Sequence, residues 1–301
     1  TGGGGGAVTD QELFSVVGIL PDETSAVSAP RRRDLPYTSL ALLGLIVLCC
    51  LCAPLLTKHD PAYMDLLHCA EAPSAAFWFG TDTMGRDIFA CIWYGGRVSL
   101  AVGFLAAAIS TVIAVVYGAV SGMAPQWLDT AMMRLTELLI SVPSLLLTVF
   151  LQAILGRANV ASLSVVIGIT GWCSMAKVVR TEVRQLRQSG YVIACRCMGG
   201  SFGRLLWRHL LPNFVSSILF MVVMSVRTAI VAESTLSFMG MGLPLETISW
   251  GSMLTLSEQA LMRGAWWIIV IPGVFLITVL VCVTAVGSWL RRVSDRRQSN
   301  L

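Results

Sequence analysis

Charge is what this 301-residue sequence has least of. Asp, Glu, Lys and Arg make up 13% of it and hydrophobic residues 55%, with a mean hydropathy of +0.75; soluble domains carry about 25% charged residues. A water-soluble fold of this length would have to hide too many apolar side chains, which leaves lipid as the solvent. Lysine is nearly absent. Lys58 follows Thr57 and Lys177 follows Ala176, whereas a GxxxxGK[ST] phosphate loop needs its Lys directly after Gly. The chain therefore does not hydrolyse ATP by that route. The three histidines, His59, His68 and His209, lie far apart in loops and none falls in HExxH. No two carboxylates share one mid-helix face. The sequence thus offers no obvious nucleophile or metal site, and it reads as a non-catalytic chain. The arginines do not form a stripe interleaved with aromatics, so nucleic acid is not expected as a partner.

What is present is a series of apolar runs, near residues 38–56, 98–122, 129–155, 160–179, 214–239 and 266–290. Each approaches or exceeds the roughly 20 residues a spanning helix needs. The predicted fold is an all-α membrane protein of six spans. Residues 1–36 lack an early apolar core and read as a flexible cytoplasmic tail with no signal peptide. Residues 37–57 form the first span and 58–97 an external loop ending in an amphipathic stretch. Residues 98–290 form the core, with internal and external loops at 184–213 and 240–265, and 291–301 form a second cytoplasmic tail.

Basic residues orient the chain. With both termini inside, the outside receives only Lys58, Arg86, Arg97, Arg157 and Arg263, while Arg227 stays within a helix. The rest of the 21 basic residues fall inside, which is the cytoplasmic bias expected of a bacterial inner-membrane protein.

Several residues inside the spans have packing readings. Gly118 and Gly122 share a helix face and allow close approach of a neighbour. Pro143 and Pro272 interrupt helix hydrogen bonding and suit either a static kink or a moving one. Arg227 and Glu233 project about 240° apart around one helix. They read either as groups satisfied in the bundle interior or as contacts on a translocation pathway. Most of the nine cysteines read as small apolar side chains. Cys69 and Cys91, assigned to one external segment, could pair.

The internal loop is the most informative segment. Tyr191, Ala194, Cys195 and Met198 recur at helical spacing, so they predict a short amphipathic helix. Gly199 and Gly200 end it, and Ser201, the apolar patch at 205–207, His209 and Pro212 follow. Such a helix either lies on the membrane surface or docks in a groove of another protein.

The spacing Ala194, Gly199, His209, Leu211 and Pro212 resembles the cytoplasmic loop of ATP-binding-cassette importer permeases, of the dipeptide, oligopeptide and nickel branch. The stretches Gly80-Thr81-Asp82-Thr83-Met84-Gly85-Arg86-Asp87 and Glu233-Ser-Thr-Leu-Ser-Phe-Met-Gly240-Met-Gly242, then Ser249-Trp250-Gly251, resemble that branch too. Ile193 and Cys195 depart from the Glu and Ala of its loop pattern. The resemblance implies a type I importer permease with Tyr191, Ala194, Cys195, Met198, Gly199, Ser201, His209 and Pro212 in the ATPase-coupling loop. It implies a second permease, as a heterodimer, two ATP-binding subunits that use ATP and Mg, and an external solute-binding lipoprotein. This chain itself would bind no cofactor and no metal. Small peptides are the expected cargo, with nickel or a nickel chelate as the alternative. An ion-coupled secondary transporter is the alternative of another class.

Overall fold

The computed structural model describes residues 36–57, 59–187 and 211–298. Among them the only extended pairing is an isolated bridge between Thr81 and Asp87; the rest is helix and loop. In chain order the helices are α1 (Tyr37–Leu51), α2 (Ala53–Leu56), a 3-10 turn (Leu66–His68), α3 (Ile88–Met123), α4 (Gln126–Ser141), α5 (Ser144–Leu155), α6 (Val160–Gly171), α7 (Cys173–Arg187), α8 (Leu211–Phe238), α9 (Trp250–Thr255), α10 (Ser257–Met262) and α11 (Trp267–Gln298).

Helices α3, α8 and α11 are long and apolar enough to cross a bilayer alone. Two more crossings are broken: α4–α5 bends by 88° and α6–α7 by 49°. The shorter apolar helix α1 is extended by α2 through a turn at Cys52, whose N–H donates to Leu48 O. By length and apolarity this makes three crossings, or five if each bent pair is one span, and the expected sixth corresponds to the shorter α1.

Two boundaries differ from the sequence reading. The second span starts at Ile88, not Val98, because Asp87 caps it by accepting the Phe89 N–H at 3.0 Å. Residues 88–97, assigned to the end of the 58–97 external loop, are therefore the first turns of α3, and Ile88 and Ile92 are fully buried there. The third span is not one kinked helix. Val142, held in extended backbone before Pro143, ends α4, and Pro143 is the N-cap of a new helix. By contrast Pro272 sits inside a continuous helix. Cys69 and Cys91 are both free thiols. Cys91 lies on α3 and turns its thiol to Pro61 O at 3.8 Å, while Cys69 faces Asp65 O.

Helix α3 is the axis of the bundle. It has 36 residues, about 54 Å at 1.5 Å per residue, and it packs on α6, α7 and α8. Near its C-terminus, Gly118 and Gly122 give the close approach their spacing suggests. A Cβ on Gly118 would stand 2.6 Å from Ala176 O, and one on Gly122 would stand 2.8 Å from Val183 Cγ1. Helix α8 packs next on α11, which α1 covers.

The loops at 59–87 and 240–266 share one end of the bundle. Arg86, 3% exposed, ties them together: its Nε donates to Asp82 Oδ2 at 2.7 Å and its Nη1 to Leu245 O at 3.1 Å. Trp267 Nε1 adds a bond to Thr81 O at 3.3 Å. A charge buried this deeply persists only because its donors are paired.

Candidate functional site

The two broken spans open a cleft where their breaks face α8. A cavity of about 120 Å³ is lined by Ser110, Ser144, Thr148, Thr170, Gly171, Ser225 and Thr228 among apolar neighbours. A larger cleft of about 540 Å³ shares Ser144, Thr170, Gly171, Ser225 and Thr228, and adds Pro143, Cys173, Ser174, Met221 and Met224. The hydroxyls arise from helix chemistry. Thr148 and Thr170 return bonds to the carbonyls of Ser144 and Val166, then meet each other at 3.1 Å. Ser110 Oγ is buried and has no partner.

Among the described residues no ionisable side chain lines either space, apart from the Cys173 thiol. No group of three or more potential metal ligands occurs among the described residues. The surface offers uncharged donors and acceptors plus three adaptable methionines, Met175, Met221 and Met224. It can hold or pass a polar solute; it has no group that activates a nucleophile.

Of the residues expected in a coupling loop, Tyr191, Ala194, Cys195, Met198, Gly199, Ser201 and His209 lie outside the described residues, and Pro212 falls in the first turn of α8. The run Gly199-Gly200-Ser201-Phe202-Gly203 also spells GxSxG. A nucleophile elbow needs a strand before it; residues 188–203 lie outside the described residues. Arg227 is partly buried on α8, with its Nε unpaired, beside a shallow space of about 410 Å³ against α11. Glu233 is fully buried and borders none of these spaces; it bonds to serines from α3, α8 and the segment before α9.

One cluster escaped the sequence reading. At the end of the bundle opposite the 59–87 loop, Asp129 of α4 is 2% exposed and accepts both Arg180 Nε and Arg180 Nη2, at 2.5 and 2.6 Å. Ser121 Oγ donates to the same carboxylate at 2.6 Å, and Arg184 approaches it at 2.9 Å. The available signal was the spacing of Arg180, Arg184 and Arg187 along one face of α7. In the loop at the other end, Glu71 accepts from His68 at 2.8 Å and raises the histidine above its ordinary pKa.

The described residues thus form a multi-pass helical bundle with bent helix pairs around a cleft lined by hydroxyls. Residues 114–300 match the family of binding-protein-dependent transport system inner membrane components, and the chain belongs to that family. It is 36% identical to the oligopeptide transport system permease protein OppC of Bacillus subtilis, over 88% of this chain and 86% of the relative. It is 35% identical to the dipeptide transport system permease protein DppC of the same organism, over 87% and 83%. A dipeptide permease DppC of Alkalihalophilus pseudofirmus is 32% identical over 93% of each chain. The chain is thus a multi-pass inner-membrane protein, and these relatives are named as permease proteins of peptide transport systems.

Proposed function

We propose that this chain forms half of the translocation pathway of an ATP-driven importer of small peptides. The pathway wall is the hydroxyl-lined cleft between α5, the α6–α7 break and α8. The supporting observation is that cleft: uncharged hydrogen-bonding groups at mid-bundle suit peptide amides, which arrive desolvated and need partners. The second half comes from a second permease, as a heterodimer. Two ATPase subunits dock on residues about 191–203, and a solute-binding lipoprotein delivers cargo at the end that carries 59–87 and 240–266. That end is outside and both termini are inside, as the basic residues indicate. This chain binds no cofactor; ATP and Mg are used by the partners.

Helix α7 supplies the connection. It begins at the cleft with Cys173 and Ser174 and ends at Arg187, just before the proposed docking segment. Asp129 holds Arg180 and Arg184 on its last turns. A push on the docking segment therefore reaches α4 and the cleft through one stiff rod. Nickel gains no support from a specific observation: His59 is bonded to Asp87 and His68 to Glu71.

The test is uptake by the complex reconstituted with its ATPases, using a labelled tripeptide as cargo. Replacing Gly199 with Trp is expected to abolish ATP-driven uptake while the chain still inserts and assembles. Undiminished uptake by that variant, or uphill uptake by the chain without any ATPase, overturns the reading.

A further inference from the structure

Glu233 is fully buried on α8, forms no ion pair among the described residues, and is not among the residues lining the cleft. Its surroundings are four hydroxyls. Ser249 Oγ and Ser237 Oγ donate to Oε1 at 2.7 and 3.0 Å; Ser99 Oγ and Ser234 Oγ approach Oε2 at 3.1 and 3.4 Å.

Three of these serines also accept a backbone N–H. Trp250 N donates to Ser99 Oγ at 3.1 Å, Ser252 N to Ser249 Oγ at 3.0 Å, and Leu243 N to Ser237 Oγ at 3.3 Å. A serine hydroxyl has a single proton. With an N–H arriving at the oxygen, that proton is directed to Glu233. One carboxylate thus gathers α3 through Ser99, α8 through Ser234 and Ser237, and the turn into α9 through Ser249.

The backbone packing around it is close. A Cβ on Gly95 would stand 3.2 Å from the Ser249 carbonyl carbon, and one on Gly96 would stand 2.7 Å from the Trp250 ring. A Cβ on Gly251 would stand 2.6 Å from Ser234 Cα. Trp250 is fully buried and its Nε1 donates to Ile92 O at 3.0 Å. Helix α9 is a short piece sunk between two long helices, with its first turn secured to both.

We propose that Glu233 is a positioning residue that joins α9 to α3 and α8, so that the outer end of this chain moves as one body when the pathway opens outward. The join concerns neither cargo nor docking, and it rests on the importer reading only for the movement. An amide at this position would turn two N–H groups toward hydroxyls whose protons already point inward. Glu233→Gln therefore weakens the join without changing its size, and Glu233→Leu removes it.

The experiment uses the complex assembled with its ATPases in proteoliposomes, with Cys69→Ser to remove an outer thiol and Met253→Cys, 5% exposed on α9 as methionine, as reporter. The readout is the rate of modification by a membrane-impermeant maleimide, without nucleotide and after trapping with ATP and vanadate. With Glu233 present, labelling is expected to be slow and within about twofold in the two states, because a joined helix exposes its buried face only through rare local opening. Glu233→Leu is expected to label roughly tenfold faster and Glu233→Gln between the two. Fast labelling in the trapped state with Glu233 intact means that α9 detaches, and overturns the proposal. Slow labelling in the assembled variants overturns it as well. If Glu233→Leu does not assemble, the isosteric Gln variant decides. A failure of the importer reading shows separately, as loss of vanadate trapping, while the nucleotide-free rates still report the join.

Discussion

At the scale of single residues, Asp129 is the group whose loss is most informative. It is buried and held by a two-pronged Arg180 contact, with Ser121 completing the shell. Removing one partner of a buried pair leaves the other unbalanced, at a cost of about 3 kcal/mol. Asp129→Ala also leaves Arg180 and Arg184, one turn apart, without the anion between them. We expect it to destabilise the chain by about that amount, read as a lower unfolding midpoint in detergent. Arg184 is 47% exposed, so Arg184→Ala is expected to cost under about 1 kcal/mol. An Asp129→Ala, Arg180→Ala cycle is expected to show a coupling of about 1.5 kcal/mol or more. Equal effects of the Arg180 and Arg184 changes would disprove the ranking. This cluster was not legible in the sequence, because an acid near a helix start has a local explanation. Its partner on α7 is 51 positions away. The Glu233 collar hid for the same reason: Ser99 is 134 positions from it.

At the scale of elements, the spans were legible wherever length and apolarity alone decide them. The Gly118 and Gly122 spacing also translated directly into a contact. The contrast with Gly44 tests that contact. Around Gly44 a Cβ meets nothing within 4 Å, whereas at Gly122 it meets Val183 and Arg180 O. Gly122→Val is expected to cost about 1–3 kcal/mol by forcing α3 and α7 apart. Gly44→Val on lipid-facing α1 is expected to shift the midpoint little, since it adds apolar surface without a clash. Matching losses would mean that the α3–α7 contact is not what Gly122 protects. The start of α3 was hidden because Gly95, Gly96 and Arg97 interrupt the apolar run. Tertiary packing accounts for the glycines, which face Ser249 and Trp250, whereas the Arg97 guanidinium lies over the ring of Tyr94, one turn earlier on the same helix, at 5.7 Å.

At the scale of the whole molecule, the spans and family emerge from composition and motif spacing, but the cleft does not. Ser144, Thr148, Thr170, Ser225 and Thr228 come together only because two spans break facing a third, and a Pro in a run announces only one of those breaks. The proposed mechanism needs the two ends of the bundle on opposite sides of the membrane, and native cysteines can report both. Cys69 is partly exposed in the 59–87 loop, and Cys197 belongs to the proposed docking segment. In sealed right-side-out vesicles an impermeant thiol reagent is expected to reach Cys69 and not Cys197. In inverted vesicles Cys197 is expected to react when the ATPases are stripped and to be shielded when they are rebound. The cavity at mid-bundle cannot act as a pathway if one reagent reaches both thiols from one side. Equal labelling of Cys197 with and without the ATPases would remove α7 as the rod that carries their motion inward.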